Sequence, residues 1–478
     1  METLLNHLPA GMASFQGPEA VRAFFPQAGD AQAGQVAAVQ PKSTADIRAL
    51  VQWATRHDKK LVPVSSASGP RKNGGSVPEG PAVVVDLSQM KRVRHIDGKD
   101  AIAVIEPGVT YPEFDVQLAH HGLRSFKPLL PRRSKSVIAA CLEREPITSP
   151  REQWDGCDPL ACVEMVFGTG EEFRTGSAGS RDDLEVQLQH GMRQMTGPGP
   201  FATDFTRVVM GAQGTLGIVS WGSVYCERIP ALERAFFVPA DTLAPLVKLS
   251  SRIGWRKLAA QTFIVNNVQL ALILGVDRDS VLHLASRLPA WTLFVNIAAP
   301  HYFPEERIAF ETEALKEDAG ALGLAVHERL QGQAADRITA MQQQLPVQHY
   351  KDRLGAAADE IFFLTQTNKA APFIEAFQAL HAGSDSTLPY AVYLQPRVQG
   401  SSCHLEFTSF WEGTSPAPSA RTAFHRQASQ VLGERGAYFS RPYGVWKDIA
   451  YGRDPRIVPY LRQVKAMFDP RGVLNPGK

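Results

Sequence analysis

The spacing of apolar residues predicts alternating helices and strands in the first half of the chain. Residues 43–57 repeat apolar side chains at helical intervals, and Ser43 with Asp46 forms a capping box at the start of this helix. Helices are also predicted at 112–121 and 180–195. Runs rich in β-branched residues predict strands at 36–40, 61–64, 82–87, 101–105, 162–167 and 172–175. The first elements therefore form a β-α-β unit.

The pattern changes after Pro230, where longer helical stretches alternate with strand-like runs. The helices are predicted at 241–253, 278–288, 304–322, 333–343 and 370–382, and the strands at 261–265, 292–297 and 389–395. The change indicates a second structural region.

Composition narrows the classes of protein to which the chain could belong. Its 478 residues exceed one ordinary domain. The near balance of 50 Lys and Arg against 48 Asp and Glu gives no reason to expect nucleic acid or a membrane surface as the main partner. No apolar stretch is long enough to span a bilayer, and the first residues lack the features of a signal peptide. We therefore expect a cytoplasmic protein.

The five cysteines contain no C-x-x-C motif. The closest pair, Cys157 and Cys162, cannot supply the four thiolates of an iron–sulfur cluster. We expect free thiols of low reactivity in a reducing compartment.

A glycine-rich run lies in the middle of the chain. Residues 211–220 are GAQGTLGIVS, which indicates a tight loop that enters a strand and brings bare backbone against a flat ligand. The run resembles the G-S/T-E-G-T-L-G-I-V-T signature of the flavin-binding domain shared by vanillyl-alcohol oxidase, p-cresol methylhydroxylase and the FAD-linked subunit of glycolate oxidase. The resemblance implies that this loop bonds the isoalloxazine ring through main-chain groups. Its candidate FAD-binding residues are Gly211, Gly214, Thr215, Gly217, Ile218 and Val219.

A second match to the same superfamily is the run LVPVSSASGPRKNGGS at 61–76. Small residues with free N–H groups form nests for phosphate oxygens, and Arg71 or Lys72 would add charge, although a solvated hairpin loop has the same composition. The resemblance implies that the FAD pyrophosphate lies here, on Ser65, Ser66, Ala67, Ser68, Gly69, Asn73, Gly74, Gly75 and Ser76. Because covalent relatives use a histidine in this loop and none occurs here, we expect non-covalent FAD, although a His or Tyr elsewhere could still form a link.

Three further stretches add candidates for the flavin site. The carboxyl-terminal run KAMFDPRGVLNPGK at 465–478 is similar to the superfamily's K-x-x-F-D-P-x-x-x-L-N-P-G-K, and it adds Asn475 to the candidates. Because the chain stops at this motif, we expect no appended iron–sulfur domain. Pro107 and Gly108, which follow the predicted strand 101–105, are also candidate FAD-binding residues. Ser136 is a further candidate, and it begins the run SVIA, where the superfamily commonly has a Gly-Gly pair against the flavin.

The resemblance implies an α+β fold with a two-part FAD-binding domain and an inserted α/β cap that supplies the substrate pocket. We accordingly expect a lead-in at 1–35, the FAD-binding domain at 36–230, the cap at 231–430 and a return to the first domain at 431–478.

The segment 403–407 alternates apolar residues with His404 and Glu406, which predicts a strand with one polar face. In the hydroxy-acid branch, two histidines of H-x-G-D-G-N-x-H and a glutamate of E-H-G-I-G resemble a metal site. His404 matches the last histidine, whereas Arg397 stands at the first histidine and Ser440-Arg441 at the later pair. One ligand does not make a metal site, so none is expected. In the vanillyl-alcohol oxidase branch, Arg441 falls on the arginine that binds a phenolate.

Each of these candidate residues also has a structural interpretation. His404 is either the base for the substrate hydroxyl or an ordinary buried histidine, and Arg397 and Arg441 bind a substrate anion or form structural ion pairs. Glu406 would orient His404 or an arginine. The nearby aromatic residues favour packing over substrate contact: Tyr438, Phe439, Tyr443 and Trp446.

The resemblance implies metal-free hydride transfer from an alcohol, either a 2-hydroxy acid or a phenolic or aryl alcohol, to flavin N5. The partners would be an anionic or phenolic small molecule and a separate electron acceptor, with a homo- or hetero-oligomer possible. Two alternatives stay open at this point: an FAD-containing electron-transfer subunit that works with a separate iron–sulfur protein, and a degenerate flavin-fold binding module.

Overall fold

The computed structural model describes residues 4–16, 36–66, 80–197, 204–412 and 418–477, and three β-sheets organise this part of the chain. Sheet I contains β1 Ala13–Gln16, β2 Val36–Gln40, β3 Leu61–Val64 and β4 Ala82–Asp86. Its order is β1-β2-β4-β3, in which β2, β4 and β3 run parallel and β1 is antiparallel to β2.

The other two large sheets are antiparallel. Sheet II contains β5 Val93–Asp97, β6 Ile102–Ile105, β7 Leu123–Ser125, β8 Leu160–Phe167, β9 Glu172–Arg174 and β10 Gly217–Arg228. Sheet III contains β11 Leu232–Ala240, β12 Gln261–Asn266, β13 Trp291–Ala299, β16 Ala357–Thr365, β17 Ala391–Arg397 and β18 Ser402–Trp411. A small hairpin joins β14 Arg329–Leu330 to β15 Gln333–Ala334. The strand orders are β5-β6-β10-β8-β9, with β7 paired to β10, and β11-β13-β12-β17-β18-β16.

Helices cover these sheets. In the first half they are α1 Thr44–Arg56, α2 Tyr111–Ala119, α3 Val137–Leu142, α4 Leu184–Gln189 and α5 Phe205–Val209. In the second half they are α6 Leu243–Arg256, α7 Asn267–Leu274, α8 Arg278–Arg287, α9 Pro304–Gly320, α10 Asp336–Gln343, α11 Ala370–Ala382, α12 Pro418–Glu434, α13 Val445–Gly452 and α14 Ile457–Phe468. Sheets with helices of this kind make an α+β protein, as predicted. Over the described residues, each helix is too short or too polar to cross a membrane.

The capping box predicted for α1 is half present. Ser43 Oγ accepts a hydrogen bond from the Asp46 backbone N–H at 3.1 Å, and the apolar side of the helix is buried.

The carboxyl-terminal segment joins the parallel strands of sheet I. Leu61 N–H donates to Val473 O and Asn475 N–H donates to Leu61 O, each at 2.7 Å, so residues far apart in sequence extend β3.

Several elements differ from the sequence prediction, and three of them illustrate the reasons. The helix predicted at 180–195 is only α4, because Asp183 caps its start and Gly191, with φ +70°, follows its end. Strands β11 and β16 were not predicted: β11 carries a proline, and β16 begins with Ala-Ala-Asp-Glu, which is poor in strand-forming residues. The expected cap boundary near Pro230 falls between β10 and β11, and the domain limits stay predictions.

One apolar cluster joins sheet II to one face of sheet III. It includes Val163 and Met165 of β8 together with Phe263 of β12 and Phe294 of β13. Because this packing brings the two sheets together beside β3, a cavity forms where all three sheets meet.

Candidate active site

The cavity is lined by two chemically different sets of residues. One set comes from the loops and strands of sheets I and II and is mainly apolar side chains and bare backbone. It includes Pro63, Val64, Ser65, Ser66, Pro107, Ile138, Ala139, Leu142, Met165, Gly211, Gly214, Leu216, Gly217, Ile218 and Val219. The other set comes from sheet III and its loops and is aromatic or ionisable. It includes Tyr350, Lys351, Glu360, Phe362, Tyr393, His404, Glu406, Arg441 and Tyr443. The first set fits a flat isoalloxazine ring, and the second fits a polar substrate.

The glycine loop predicted from the sequence forms one wall of this cavity. Gly214 has φ +70°, and a Cβ built on it would lie 2.4 Å from Pro63 Cγ. Glycine at 214 is therefore required for the close approach of this loop to β3. A side chain at 214 would therefore clash with Pro63.

Hydrogen bonds from the carboxyl-terminal motif hold the glycine loop in place. Lys465 Nζ donates to Thr215 O at 2.5 Å and to Leu474 O at 2.7 Å, and Asn475 Nδ2 donates to Gln213 O at 2.6 Å. Thr215 and Asn475 do not line the cavity, although both were candidates for direct FAD contact. Their observed contacts position the loop.

Ser136 and Gly108 support the cavity in the same indirect way. Ser136 Oγ donates to Pro107 O at 2.6 Å, and the Ser136 N–H donates to Ser66 Oγ at 3.1 Å. A Cβ on Gly108 would lie 2.6–2.7 Å from three backbone carbonyl oxygens, so that turn also requires glycine. The serine that replaces the superfamily's glycine therefore ties two cavity segments together, while Ile138 faces the cavity.

Seven of the predicted phosphate-loop residues lie outside the described residues. They are Ala67, Ser68, Gly69, Asn73, Gly74, Gly75 and Ser76. Of that loop, Ser65 and Ser66 are described, and both line the cavity.

His404 lies at the centre of the polar set, on β18, and is buried. Its Nε2 is 3.3 Å from Glu406 Oε2, and Arg441 Nη2 is 3.2 Å from its Nδ1. Burial lowers the pKa of His404 to about 4; the hydrogen bond to Glu406 opposes this and the charge of Arg441 adds to it. The ring is therefore neutral near pH 7, with Nε2–H donating to Glu406 and Nδ1 accepting from Arg441.

Lys351 was not foreseen from the sequence, and it holds Glu406 in place. Its buried ammonium donates to Glu406 Oε1 at 2.5 Å and to Glu360 Oε1 at 2.6 Å. Burial alone would raise the pKa of Glu406, but the charge of Lys351 and the hydrogen bond with His404 together outweigh burial and lower that pKa. Lys351 follows a loop after α10, and nothing in its local sequence distinguishes it from a surface lysine.

Arg441 stacks on an aromatic ring. Its Cζ lies 3.7 Å from the centroid of the Phe362 ring, and the side chain is buried. Within the described part of the chain it forms no ion pair with a carboxylate. A buried guanidinium that lacks a carboxylate partner is suited to bind an anion from outside.

Arg397 is placed differently from Arg441. It is buried at the end of β17 but does not line the cavity, and its Nε has no hydrogen-bond partner among the described residues. Burial lowers its pKa to about 10, and the charges of Arg441 and Arg144 act in the same direction. The two arginines predicted to share one anion thus occupy two neighbouring positions.

The aromatic residues near Arg441 divide between the two expected roles. Phe439 and Trp446 are buried and stacked on each other, with ring centroids 5.2 Å apart, whereas Tyr438 is exposed. Tyr443 lines the cavity. A further lysine at the cavity, the partly buried Lys135, pairs with Glu143 and Glu145. Over the described ranges, no group of three His, Cys, Asp or Glu is arranged to hold a metal ion.

Comparisons with known proteins agree with this architecture. A family model described as an FAD binding domain matches residues 36–176. D-2-hydroxyglutarate dehydrogenase of Stutzerimonas stutzeri (strain A1501) is 22% identical over 468 residues, which cover 92% of this chain and 90% of that protein. D-lactate dehydrogenase (cytochrome), mitochondrial, of Arabidopsis thaliana is 23% identical over 192 residues, and this match spans 40% of this chain but only 30% of the relative.

A solved structure shows the same fold over almost the whole chain. It is 4-ethylphenol oxidase from Gulosibacter chungangensis in complex with isoeugenol. It superposes with a TM-score of 0.76 at 19% identity, and the match covers 92% of this chain and 88% of that one.

Proposed function

We propose that this chain, of which residues 36–176 match an FAD binding domain, is an FAD-linked oxidoreductase that oxidises the hydroxyl-bearing carbon of an anionic substrate, a 2-hydroxy acid, without a metal. The observation that carries this proposal is the position of Arg441. Its guanidinium lines the cavity, lacks a carboxylate partner among the described residues and touches the candidate base His404. Bound FAD supplies the acceptor for the hydride.

In this proposal, binding of the substrate anion frees His404 Nδ1 to act as the base. The guanidinium of Arg441 donates to His404 Nδ1 in the free protein, so the lone pair needed by a base is occupied. A substrate carboxylate competes for the same guanidinium with a stronger, charge-assisted hydrogen bond. Arg441 then turns toward the carboxylate, and Nδ1 is free to accept the hydroxyl proton.

Charge neutralisation assists the same proton transfer. The positive charge of Arg441 contributes to the low pKa of His404, so pairing Arg441 with a carboxylate raises that pKa toward the working range of a base. After proton transfer, His404 is an imidazolium whose Nε2–H faces the ionised Glu406. Lys351 keeps Glu406 ionised and fixed, so the proton stays on His404. Glu406 and Lys351 act through His404 and are positioning residues.

The alternatives that the sequence left open receive different degrees of support. The full-length resemblance to a dehydrogenase argues against a binding module without activity. A separate protein as electron acceptor stays part of the proposal. A phenolic substrate is the second candidate, because Arg441 also suits a phenolate and the relative of the same fold is an ethylphenol oxidase.

Anaerobic rapid mixing with 2-hydroxy acids and their neutral amides tests the proposal through bleaching of the flavin absorbance. We expect the acids to bleach the flavin and the amides to fail. Arg441→Ala should cost about 2–4 kcal/mol in kcat/KM, the range for a lost buried charge-assisted contact, and Arg441→Lys should lose part of that because it lacks the planar fork. Arg456→Ala, which removes an exposed ion pair, is the matched control.

Three outcomes would contradict the proposal: amides that react as fast as acids, an unchanged Arg441→Ala protein, or bleaching by phenols alone. His404→Ala should slow bleaching while the protein keeps its FAD.

A further inference from the structure

Residues 128–131, with the sequence Pro-Leu-Leu-Pro, form an apolar strap along one side of the cavity. Pro128, Leu129 and Pro131 line the cavity, whereas Leu130 does not and is buried in the core cluster that joins sheets II and III. Leu130 has φ +45°, which is an unusual backbone conformation for a residue other than glycine. Such a conformation persists only where the surrounding structure holds it, so neighbouring residues must fix the strap.

The side chain that holds the strap is Gln342, near the end of α10. It is buried, and its Oε1 accepts a hydrogen bond from the Leu130 N–H at 3.0 Å. Its Nε2 donates to Pro128 O at 3.3 Å and to Thr148 Oγ1 at 3.4 Å. Lys127 Nζ donates to the backbone O of Gln342 at 3.0 Å. One carboxamide therefore binds backbone groups of two strap residues, including the strained one.

The strap lies close to the candidate base. Arg132, the residue after the strap, forms a bidentate ion pair with Asp352, in which Nη2 donates to Oδ1 at 2.7 Å. Lys351, the residue before Asp352, binds Glu406, which in turn contacts His404. Apart from Asp352, all of these residues line the cavity with the strap. A short chain of direct contacts thus connects the strap to the groups that we assign to proton transfer.

The charges around the cavity leave a place for one anionic group of a substrate. Among the described residues, four cationic side chains line the cavity, and three of them have carboxylate partners. These pairs are Arg132 with Asp352, Lys135 with Glu143 and Glu145, and Lys351 with Glu360 and Glu406. The fourth cation is Arg441. Because each lysine already faces two carboxylates, a second anionic group of the substrate would be repelled there and would find no cation to bind.

The surface beside the strap is apolar or aromatic. Pro146 lines the cavity next to the strap, because the following residue, Ile147, forms a β-bridge with Pro128. Tyr350 and Tyr393 line the same cavity, and the hydroxyl groups of both tyrosines have hydrogen-bond partners within the protein. A wall of this kind favours an apolar group of the ligand, because removing apolar surface from water is the favourable step.

We infer that the strap receives the side chain of the substrate, and that this side chain is uncharged, apolar and larger than a methyl group. Arg441 binds the single carboxylate, and Leu129 with the neighbouring prolines contacts the side chain. Gln342 is a positioning residue, because it acts only through the strap. The inference rests on the proposed function and narrows its 2-hydroxy acids to those with one negative charge.

A set of 2-hydroxy acids that differ in the side chain tests the inference: lactate, malate, 2-hydroxy-4-methylpentanoate and phenyllactate, each as both enantiomers. Malate and 2-hydroxy-4-methylpentanoate are a matched pair, because their side chains have the same number of heavy atoms and the same branching but differ in charge. Lactate removes most of the apolar area, and phenyllactate distinguishes an aromatic from an aliphatic side chain. Each compound is mixed with the holoenzyme under anaerobic conditions, and the rate of flavin bleaching is measured against concentration.

We expect kcat/KM for at least one of the two apolar acids to exceed the values for both lactate and malate by about 10- to 200-fold, the range of discrimination in apolar pockets. Gln342→Leu keeps the approximate volume but removes three side-chain hydrogen bonds, so the ratio to lactate should fall about 10-fold, mainly through KM for the apolar acid. Gln342→Glu keeps an acceptor for the Leu130 N–H and should restore part of the ratio.

Two further variants complete the test. Leu129→Ala removes apolar surface from the strap itself, so it should lower the same ratio, and it keeps the test decisive if Gln342→Leu does not fold. Gln344→Leu is the matched control, because it makes the same substitution at an exposed position at the same end of α10 and should leave the ratio unchanged.

The outcomes separate the strap from the proposed function. Malate or lactate that reacts as fast as both apolar acids, or strap variants that slow lactate and the apolar acids equally, overturns the inference but leaves the oxidation of 2-hydroxy acids intact. Loss of FAD from a folded Leu129→Ala protein would assign the strap to the cofactor and also overturn the inference. Failure of every 2-hydroxy acid to bleach the flavin overturns the proposed function itself.

Discussion

At the scale of single residues, the burial of His404 beside Glu406 and Arg441 makes the stability of the folded protein depend on pH. The pKa of His404 is about 4 in the folded protein, against 6.5 for an ordinary histidine. Between these two values the unfolded chain binds a proton at this position and the folded chain does not. Stability therefore falls as the pH falls from 6.5 to 4.

The His404→Gln variant should reduce this acid sensitivity. We expect the histidine to contribute a loss of up to about 3 kcal/mol in the free energy of unfolding across the window, because each unit of pKa difference corresponds to about 1.4 kcal/mol. Urea unfolding at a series of pH values measures the difference between the variant and the parent. His301→Gln, at an exposed position, is the control. Parallel pH profiles for the parent and His404→Gln would contradict the buried, neutral histidine.

Residue identities alone indicated part of this site. The strand alternation at 403–407 predicted one polar face, and His404 and Glu406 do lie on it in contact with each other. The role of Lys351 could not be predicted, because its carboxylate partners come from β16 and β18 and meet only when sheet III forms. The sequence also did not indicate that Arg397 lies outside the cavity. Its position depends on the turn at Val398, where φ is +47°, and on Gln153, which comes from another segment of the chain.

At the scale of elements, the glycine loop depends on its contact with β3, so Gly214 is the position most sensitive to substitution. Gly214→Val should lose FAD, because its side chain would strike Pro63 and its φ of +70° is strained for a β-branched residue. The flavin-to-protein absorbance ratio of the purified variant measures this loss. Gly320→Ala, where a Cβ meets nothing within 4 Å, should keep full flavin content. A Gly214→Val protein with full flavin would show that the loop does not support the cofactor.

Sequence periodicity located most elements but missed some for identifiable reasons. Helix α7 has the sequence NVQLALIL and is buried on all sides, so it shows no amphipathic period. Strand β11 includes Pro239 and the charged pair Glu233-Arg234, which weaken the strand signal. Helix α7 packs against strands of sheet III, and β11 pairs with β13 within that sheet; local patterns do not encode these tertiary contacts.

At the scale of the whole molecule, the cavity that we assign to FAD lies where three sheets converge, next to the carboxyl-terminal segment. The glycine loop, the Ser65-Ser66 segment and the carboxyl-terminal motif come from distant parts of the chain and meet at one cavity. These three motifs were recognisable in sequence because each depends on glycines and turns at fixed spacing. Sheet III and its loops form the aromatic and ionisable wall of the cavity, and there the sequence departs most from the motifs that it otherwise resembles.

The attachment of FAD is a prediction at this scale. The loop at 65–76 contains no histidine, so we expect non-covalent FAD. Acid precipitation of the holoprotein should release the flavin into the supernatant. Yellow colour that remains with the washed pellet would instead indicate a covalent link from a residue elsewhere in the chain.

The central claim is that guanidinium groups, and no metal ion, hold the substrate anion next to the base and the flavin. The most direct measurement is anaerobic flavin bleaching by a 2-hydroxy acid after exhaustive chelation, with metal content determined on the same sample. We predict that the chelated protein bleaches at the rate of the untreated protein and that added zinc or manganese does not accelerate it. Loss of bleaching on chelation, with recovery on addition of either ion, would contradict the account.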